Sequence, residues 1–125
     1  MKKSVYLIDD DEDVRDVVKY ALEEDGFIVH SFPDGQKGYD KLSALSKDFP
    51  GLIIVDYLMP KMDGMTFINL LKKHPSTSLG QIPVALFSAK EASEAPILKL
   101  PTGVLQIQKP MELEKLLEVV RHHCN

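Results

Sequence analysis

Hydrophobic positions along this chain follow two rhythms, short unbroken runs and longer stretches spaced three or four residues apart. Val5–Ile8 (VYLI) is a short β-rich run that stops at Asp9-Asp10-Asp11. Val14, Val17, Val18, Ala21 and Leu22 then fall on one face of a helix. Asp11, Glu12 and Asp13 stand near its start, where negative charge meets the positive end of the helix dipole, and Gly26 ends it. Ile28–Phe32 (IVHSF) alternates like a second strand. Pro33-Asp34-Gly35 predicts a turn, and Gly38, Leu42 and Leu45 predict a second, less amphipathic helix, with Pro50-Gly51 ending the connection. Leu52–Asp56 (LIIVD) reads as a strand buried on both faces, broken by Pro60 and Asp63-Gly64. Phe67, Ile68 and Leu71 mark a third helix that closes at Lys72-Lys73-His74-Pro75. Ser76–Gln81 is expected to be a loop and Ile82–Ser88 a fourth strand, with Pro83 tolerated near its start. Glu91–Leu100 is expected to be a short or irregular helix, restricted by Pro96 and Pro101. Val104–Gln108 alternates like an edge strand with one wet face, and Leu113, Leu116, Leu117 and Val120 define a last helix.

Five repeats of strand then helix predict an α/β domain with a parallel sheet and helices on both faces. The 125 residues fit one domain over 1–125, with no repeat, linker or low-complexity tract. The net charge of -4 gives no sign of direct nucleic-acid binding. No apolar run approaches the ~18 residues of a membrane span, and Cys124 is the single cysteine, which excludes an internal disulfide. The expected location is therefore cytoplasmic.

Parallel strands bring their carboxyl ends to one edge of the sheet, where ligands bind in open α/β folds. Asp9 and Asp10 follow the first strand, Asp56 ends the third, Ser88 ends the fourth, and Lys109 follows the fifth. Carboxylates sharing a crevice repel each other unless a cation joins them, and Asp oxygens favour a hard ion such as Mg²⁺. A lysine and a hydroxyl nearby could also bind phosphate oxygens. The implied chemistry is phosphoryl transfer to or from a carboxylate, with a metal neutralising charge.

These residues, in this order, resemble the receiver domain of two-component response regulators, of the stand-alone single-domain type. The resemblance rests on Asp9-Asp10 after strand one, Asp56 with MPKMDG behind it, Ser88-Ala89 and Lys109-Pro110, and it covers essentially the whole chain. It implies a flavodoxin-like (βα)5 three-layer sandwich with strand order 2-1-3-4-5. It also implies that Asp56 is the phosphoacceptor for a histidine kinase or phosphotransfer protein. Asp10 would be a direct Mg²⁺ (or Mn²⁺) ligand, Asp9 its partner carboxylate, and the Leu58 carbonyl a further ligand beside Asp56. Ser88 would be the switch hydroxyl, Lys109 the phosphoryl contact with a cis bond to Pro110, and Gly64 the glycine of the loop behind the site. The product would be a signalling module that changes its binding to a downstream protein, with only self-catalysed phosphotransfer and slow autodephosphorylation. Monomer is the default state, with dimerisation on phosphorylation as the alternative.

Two positions depart from the family pattern. Gln106 stands where a Tyr or Phe usually rotates inward on activation, and a surface-facing Gln on an edge strand is the favoured reading. The fourth helix carries proline, which bears on the usual output face. Leu58 and Lys90 occupy the positions that tune water attack on the acyl phosphate, and an apolar Leu58 predicts slow loss. The first rival is a phosphatase of the haloacid dehalogenase type. It is disfavoured because Asp9–Asp13 lacks the required hydroxyl or Val at the fifth place and the chain has no room for a cap domain. The second is a degenerate receiver acting as a phosphorylation-independent docking module, strengthened only by Gln106. No output domain is expected after the last helix. His122-His123-Cys124 is expected to be a frayed terminus rather than a ligand set, and His30 and His74 receive no role.

Overall fold

A computed structural model describes residues 4–88, 100–108 and 113–124, apart from the side chains of Ser88 and Gln108. Five strands, β1 (Ser4–Ile8), β2 (Ile28–Phe32), β3 (Leu52–Asp56), β4 (Val84–Ser88) and β5 (Val104–Gln108), form one parallel sheet of order β2-β1-β3-β4-β5. The described helices are α1 (Glu12–Glu24), α2 (Gly35–Ser43), α3 (Gly64–Lys73), α4 (Thr77–Gly80) and α5 (Leu113–Cys124).

The period of two along each strand sorts the core into two layers. Val5, Leu7, Leu52, Ile54, Ala85 and Phe87 face α1 and α5, where they meet Val18, Leu22, Leu116 and Val120. Tyr6, Ile8, Ile53, Val55, Val84 and Leu86 face the opposite way, onto Leu42 of α2, Phe67 and Leu71 of α3 and Leu79 of α4. All of β3 is buried because it has a strand on each side and helices on each face. Burying a side chain of this size contributes about 1.5–3 kcal/mol, and truncating Phe67 to Ala would cost ~3–5 kcal/mol.

Three aspartates start helices by capping them. Asp11 accepts from the Asp13 and Val14 N–H groups at 2.9 and 3.3 Å, Asp34 from Lys37 N–H at 2.8 Å, and Asp63 from Thr66 N–H at 2.8 Å. Each bond satisfies a backbone donor that the first helical turn leaves without an intrahelical partner. Gly26, at φ +92°, ends the chain's first helical run in a conformation other residues rarely adopt.

Several boundaries move from their expected places. Ser76–Gln81 is not a loop throughout, since Thr77–Gly80 makes one helical turn that buries Leu79. That turn gives Leu79 an apolar seat against α3, which polar neighbours in the sequence hide. β4 begins at Val84 rather than Ile82, because the Ile82 N–H returns to the Leu79 carbonyl and Pro83 has no N–H to donate. Gly35 is the first residue of α2 rather than part of a turn, since Asp34 caps the helix there. The chain end is not frayed through Cys124. The helix continues, Cys124 is buried, and burial pushes its thiol up to about 11. The expected helix at 91–100 lies outside the described residues apart from Leu100.

Candidate metal and phosphoryl site

In the sheet order, β1 and β3 are neighbours, and their register pairs Ile8 with Val55. Asp9 and Asp56 are therefore the next residues on adjacent strands. Asp10 follows where the chain leaves the sheet for α1. Asp9, Asp10 and Asp56 each offer a carboxylate oxygen, and these atoms lie within 4.8 Å of one another. Asp9 is fully buried and Asp56 is 8% exposed, while Asp10 faces solvent. Two like charges at this separation repel by ~1 kcal/mol in water and by about 3–4 kcal/mol at an effective dielectric near 20. An all-oxygen carboxylate set at this spacing suits a hard divalent cation of the Mg²⁺ or Mn²⁺ kind.

The backbone around Asp9 is pinned at several points. Its N–H donates to the Phe32 carbonyl at 3.2 Å, extending the β1–β2 ladder by one residue. Its Oδ1 accepts from the Asp11 N–H at 2.9 Å, and its carbonyl accepts from Arg15 Nη1 at 2.6 Å. Behind Asp56, the Tyr57 N–H donates to the Phe87 carbonyl at 2.6 Å and the Gly64 N–H donates to the Tyr57 carbonyl at 2.9 Å. The start of α3 is thus pressed against the end of β3. A Cβ on Gly64 would lie 2.6 Å from the Asp56 carbonyl oxygen and 2.6 Å from Leu86 Cδ1, so glycine is the residue that fits. Between these points the Met62 N–H donates to the Pro60 carbonyl at 2.8 Å across Lys61, whose φ is +70°. This three-residue turn is uncommon for a residue with a side chain.

Other expected site residues are placed less completely. Leu58 is 60% exposed beside the acidic group. The Ser88 backbone ends β4 in register with Gln108, and its side chain lies outside the described residues. Lys109 and Pro110 lie outside them as well. Gln106 is exposed on the edge strand, as its position in the alternating pattern predicts. His30 packs against Tyr6 with ring centroids 5.2 Å apart and planes tilted by 54°. Sequence reasoning missed Arg15. The only sequence signal was a basic residue one turn into a helix that otherwise opens with acids.

The fold and the carboxylates define an α/β domain with an acidic cluster at its β1–β3 switch point. The chain belongs to the response regulator receiver domain family, whose model matches residues 5–121. It is 30% identical to an uncharacterized 14.6 kDa protein in the sodA1 3′ region of Leptolyngbya boryana, over 96% of this chain and 88% of that one. It is 29% identical to the phosphate regulon transcriptional regulatory protein PhoB of Klebsiella pneumoniae, over 97% of this chain but 51% of that protein. The chain therefore spans about half the length of that regulator. A crystal structure of a CheY-like receiver domain protein from Methanospirillum hungatei superposes with a TM-score of 0.80 at 32% identity, over 97% of this chain and 93% of that one. The receiver domain of the hybrid histidine kinase CckA shares the fold, at 24% identity and a TM-score of 0.79, covering 98% and 99% of the two chains. Receiver domains are signalling domains of two-component systems that bind Mg²⁺ in an acidic pocket. No described helix is long and apolar enough to cross a membrane.

Proposed function

We propose that this domain accepts a phosphoryl group on Asp56 from a histidine kinase or phosphotransfer protein and changes its binding to a downstream protein in response. The observation that carries the reading is the convergence of Asp9, Asp10 and Asp56 in a chain matched to the receiver family over 5–121. An Asp56 carboxylate oxygen attacks phosphorus, the donor's N–P bond breaks, and its electron pair stays on the departing imidazole nitrogen. Asp56 is buried at a strand end, and a carboxylate with little room there loses less freedom on attack. Asp9, Asp10, Asp56 and the Leu58 carbonyl would hold the cation. When bound it supplies charge neutralisation for the incoming phosphoryl oxygens. Lys109 and Ser88 are assigned the remaining phosphoryl contacts. Leu58 offers no hydrogen bond to orient an attacking water, so the acyl phosphate should be long-lived, and Leu58→Asn should shorten its decay.

The deciding experiment is intact-protein mass after incubation with acetyl phosphate, with and without Mg²⁺, beside Asp56→Ala. A Mg²⁺-dependent gain of one phosphoryl group that the variant lacks is expected. No gain under any condition would sink the reading in favour of a docking module that works unmodified. The exposed Gln106 supports a narrower point, that output proceeds without an inward-turning ring. Structures with and without a phosphoryl mimic should then differ near Ser88 while residue 106 stays outward.

A further inference from the structure

We propose that Arg15 is a positioning residue for the acidic site, acting through the peptide that joins Asp9 to Asp10; this rests on the reading of that site as a cation site. Arg15 lies on α1, one turn beyond the cap Asp11, and is half-buried. Its guanidinium reaches back six residues to the Asp9 carbonyl at 2.6 Å. The partner is a backbone oxygen, so the bond fixes a peptide plane rather than neutralising a carboxylate. The Asp9 N–H makes the last bond of the β1–β2 ladder, to the Phe32 carbonyl, so this peptide lies just past the ladder that would otherwise orient it. The plane sets the direction in which the chain leaves Asp9, and with it where the exposed Asp10 carboxylate sits relative to the buried Asp9 and Asp56. The Asp11 N–H bond to Asp9 Oδ1 closes the same turn from the other side. Arg15 thus ties α1 to the geometry of the acidic group.

Two roles for this cation predict opposite signs. A purely electrostatic Arg15 opposes a bound dication, so removing it would tighten Mg²⁺. A positioning Arg15 preorganises the ligands, so removing it weakens Mg²⁺. Groups that orient metal ligands typically change affinity by about 10–100-fold. The test is Mg²⁺ titration of the parent, Arg15→Ala and Arg15→Met, followed by amide resonances, with urea unfolding in EDTA to establish that each variant is folded. Met keeps the aliphatic stem and guards against lost packing in Ala. Amide exchange at Asp10 and Asp11 is measured in the same metal-free samples. The expected result is Mg²⁺ affinity weaker by about tenfold in both variants and exchange at Asp10 and Asp11 faster by about the same factor. Unchanged or tighter Mg²⁺ binding, or unchanged exchange in folded variants, overturns the proposal. A parent that binds no Mg²⁺ sinks the cation-site reading instead, and the metal-free exchange then decides whether Arg15 orders the turn.

Discussion

The two edges of the sheet treat charge in opposite ways. At the carboxyl edge three aspartates converge within 4.8 Å. At the amino edge, Arg121 grips Asp25 with two bonds of 2.7 and 2.8 Å, joining the end of α5 to the end of α1. Lys72, at the end of α3, donates to the Gly80 carbonyl and to the Thr102 carbonyl at 3.1 Å, joining α3 to the turns before β4 and β5. The amino edge matches cations to acceptors and serves stability. The carboxyl edge gathers three carboxylates at a spacing that a divalent cation could bridge. Both patterns follow from one topology, because each described helix that directly follows a parallel strand starts at the carboxyl edge and ends at the amino edge.

The contrast breaks most sharply if the carboxyl edge is also where the fold is least forgiving. Gly64→Ala tests this. The added Cβ meets a backbone carbonyl at 2.6 Å and Tyr57 Cα at 3.1 Å, and neither can swing aside like a side chain. A loss of about 2–4 kcal/mol is expected in urea unfolding. A loss under ~0.5 kcal/mol would mean that the start of α3 moves freely from β3.

Mg²⁺ sharpens the comparison directly. A cation that binds only the folded acidic group should raise unfolding stability by about 1.4 kcal/mol at ten times its dissociation constant. Asp10→Asn should remove most of that gain and, without Mg²⁺, leave stability equal or higher because a repulsion is relieved. If Mg²⁺ stabilises parent and variant alike, the ion acts elsewhere on this acidic chain.

Carboxylates on the same edge that cap helices should behave differently. Asp63→Ala removes the acceptor for the Thr66 N–H and should cost ~1 kcal/mol with or without Mg²⁺. A loss that appears only with Mg²⁺ would place Asp63 in the cation site instead.

This division of labour explains what was legible in the sequence. Strand and helix periods and the acidic residues could be read, because parallel topology converts strand ends into a common edge, whereas the sheet order followed only from the family resemblance. Asp11, Asp34 and Asp63 look like Asp9, Asp10 and Asp56 in the sequence, each polar and near the end of a strand or the start of a helix. Only register and cap geometry separate the caps from the cluster. The helical turn at Thr77–Gly80 was hidden because one buried leucine, Leu79, decides it. Arg15 and Lys72 were missed for a shared reason. Each donates to a backbone carbonyl, and a carbonyl leaves no trace in residue identity.

The smallest effect should come from the ion pair at the amino edge, and pH gives it a signature. The Arg121 hydrogen bond, more than its charge, holds the Asp25 carboxyl below its ordinary 3.8. A carboxyl lowered by folding stabilises the native state fully above its unfolded pKa, and the contribution is lost as pH falls through the folded value. Arg121→Ala should therefore lower the thermal midpoint by no more than about 2 °C at neutral pH, since exposed pairs contribute little. The gap between parent and variant should begin to narrow as pH falls through 3.8 and close only below the parent's lowered folded value, where Asp25 is neutral in both. A gap that persists at low pH would show that the arginine stem matters more than the pair. The amino edge would then owe its stability to apolar contact, and charge pairing would be incidental there.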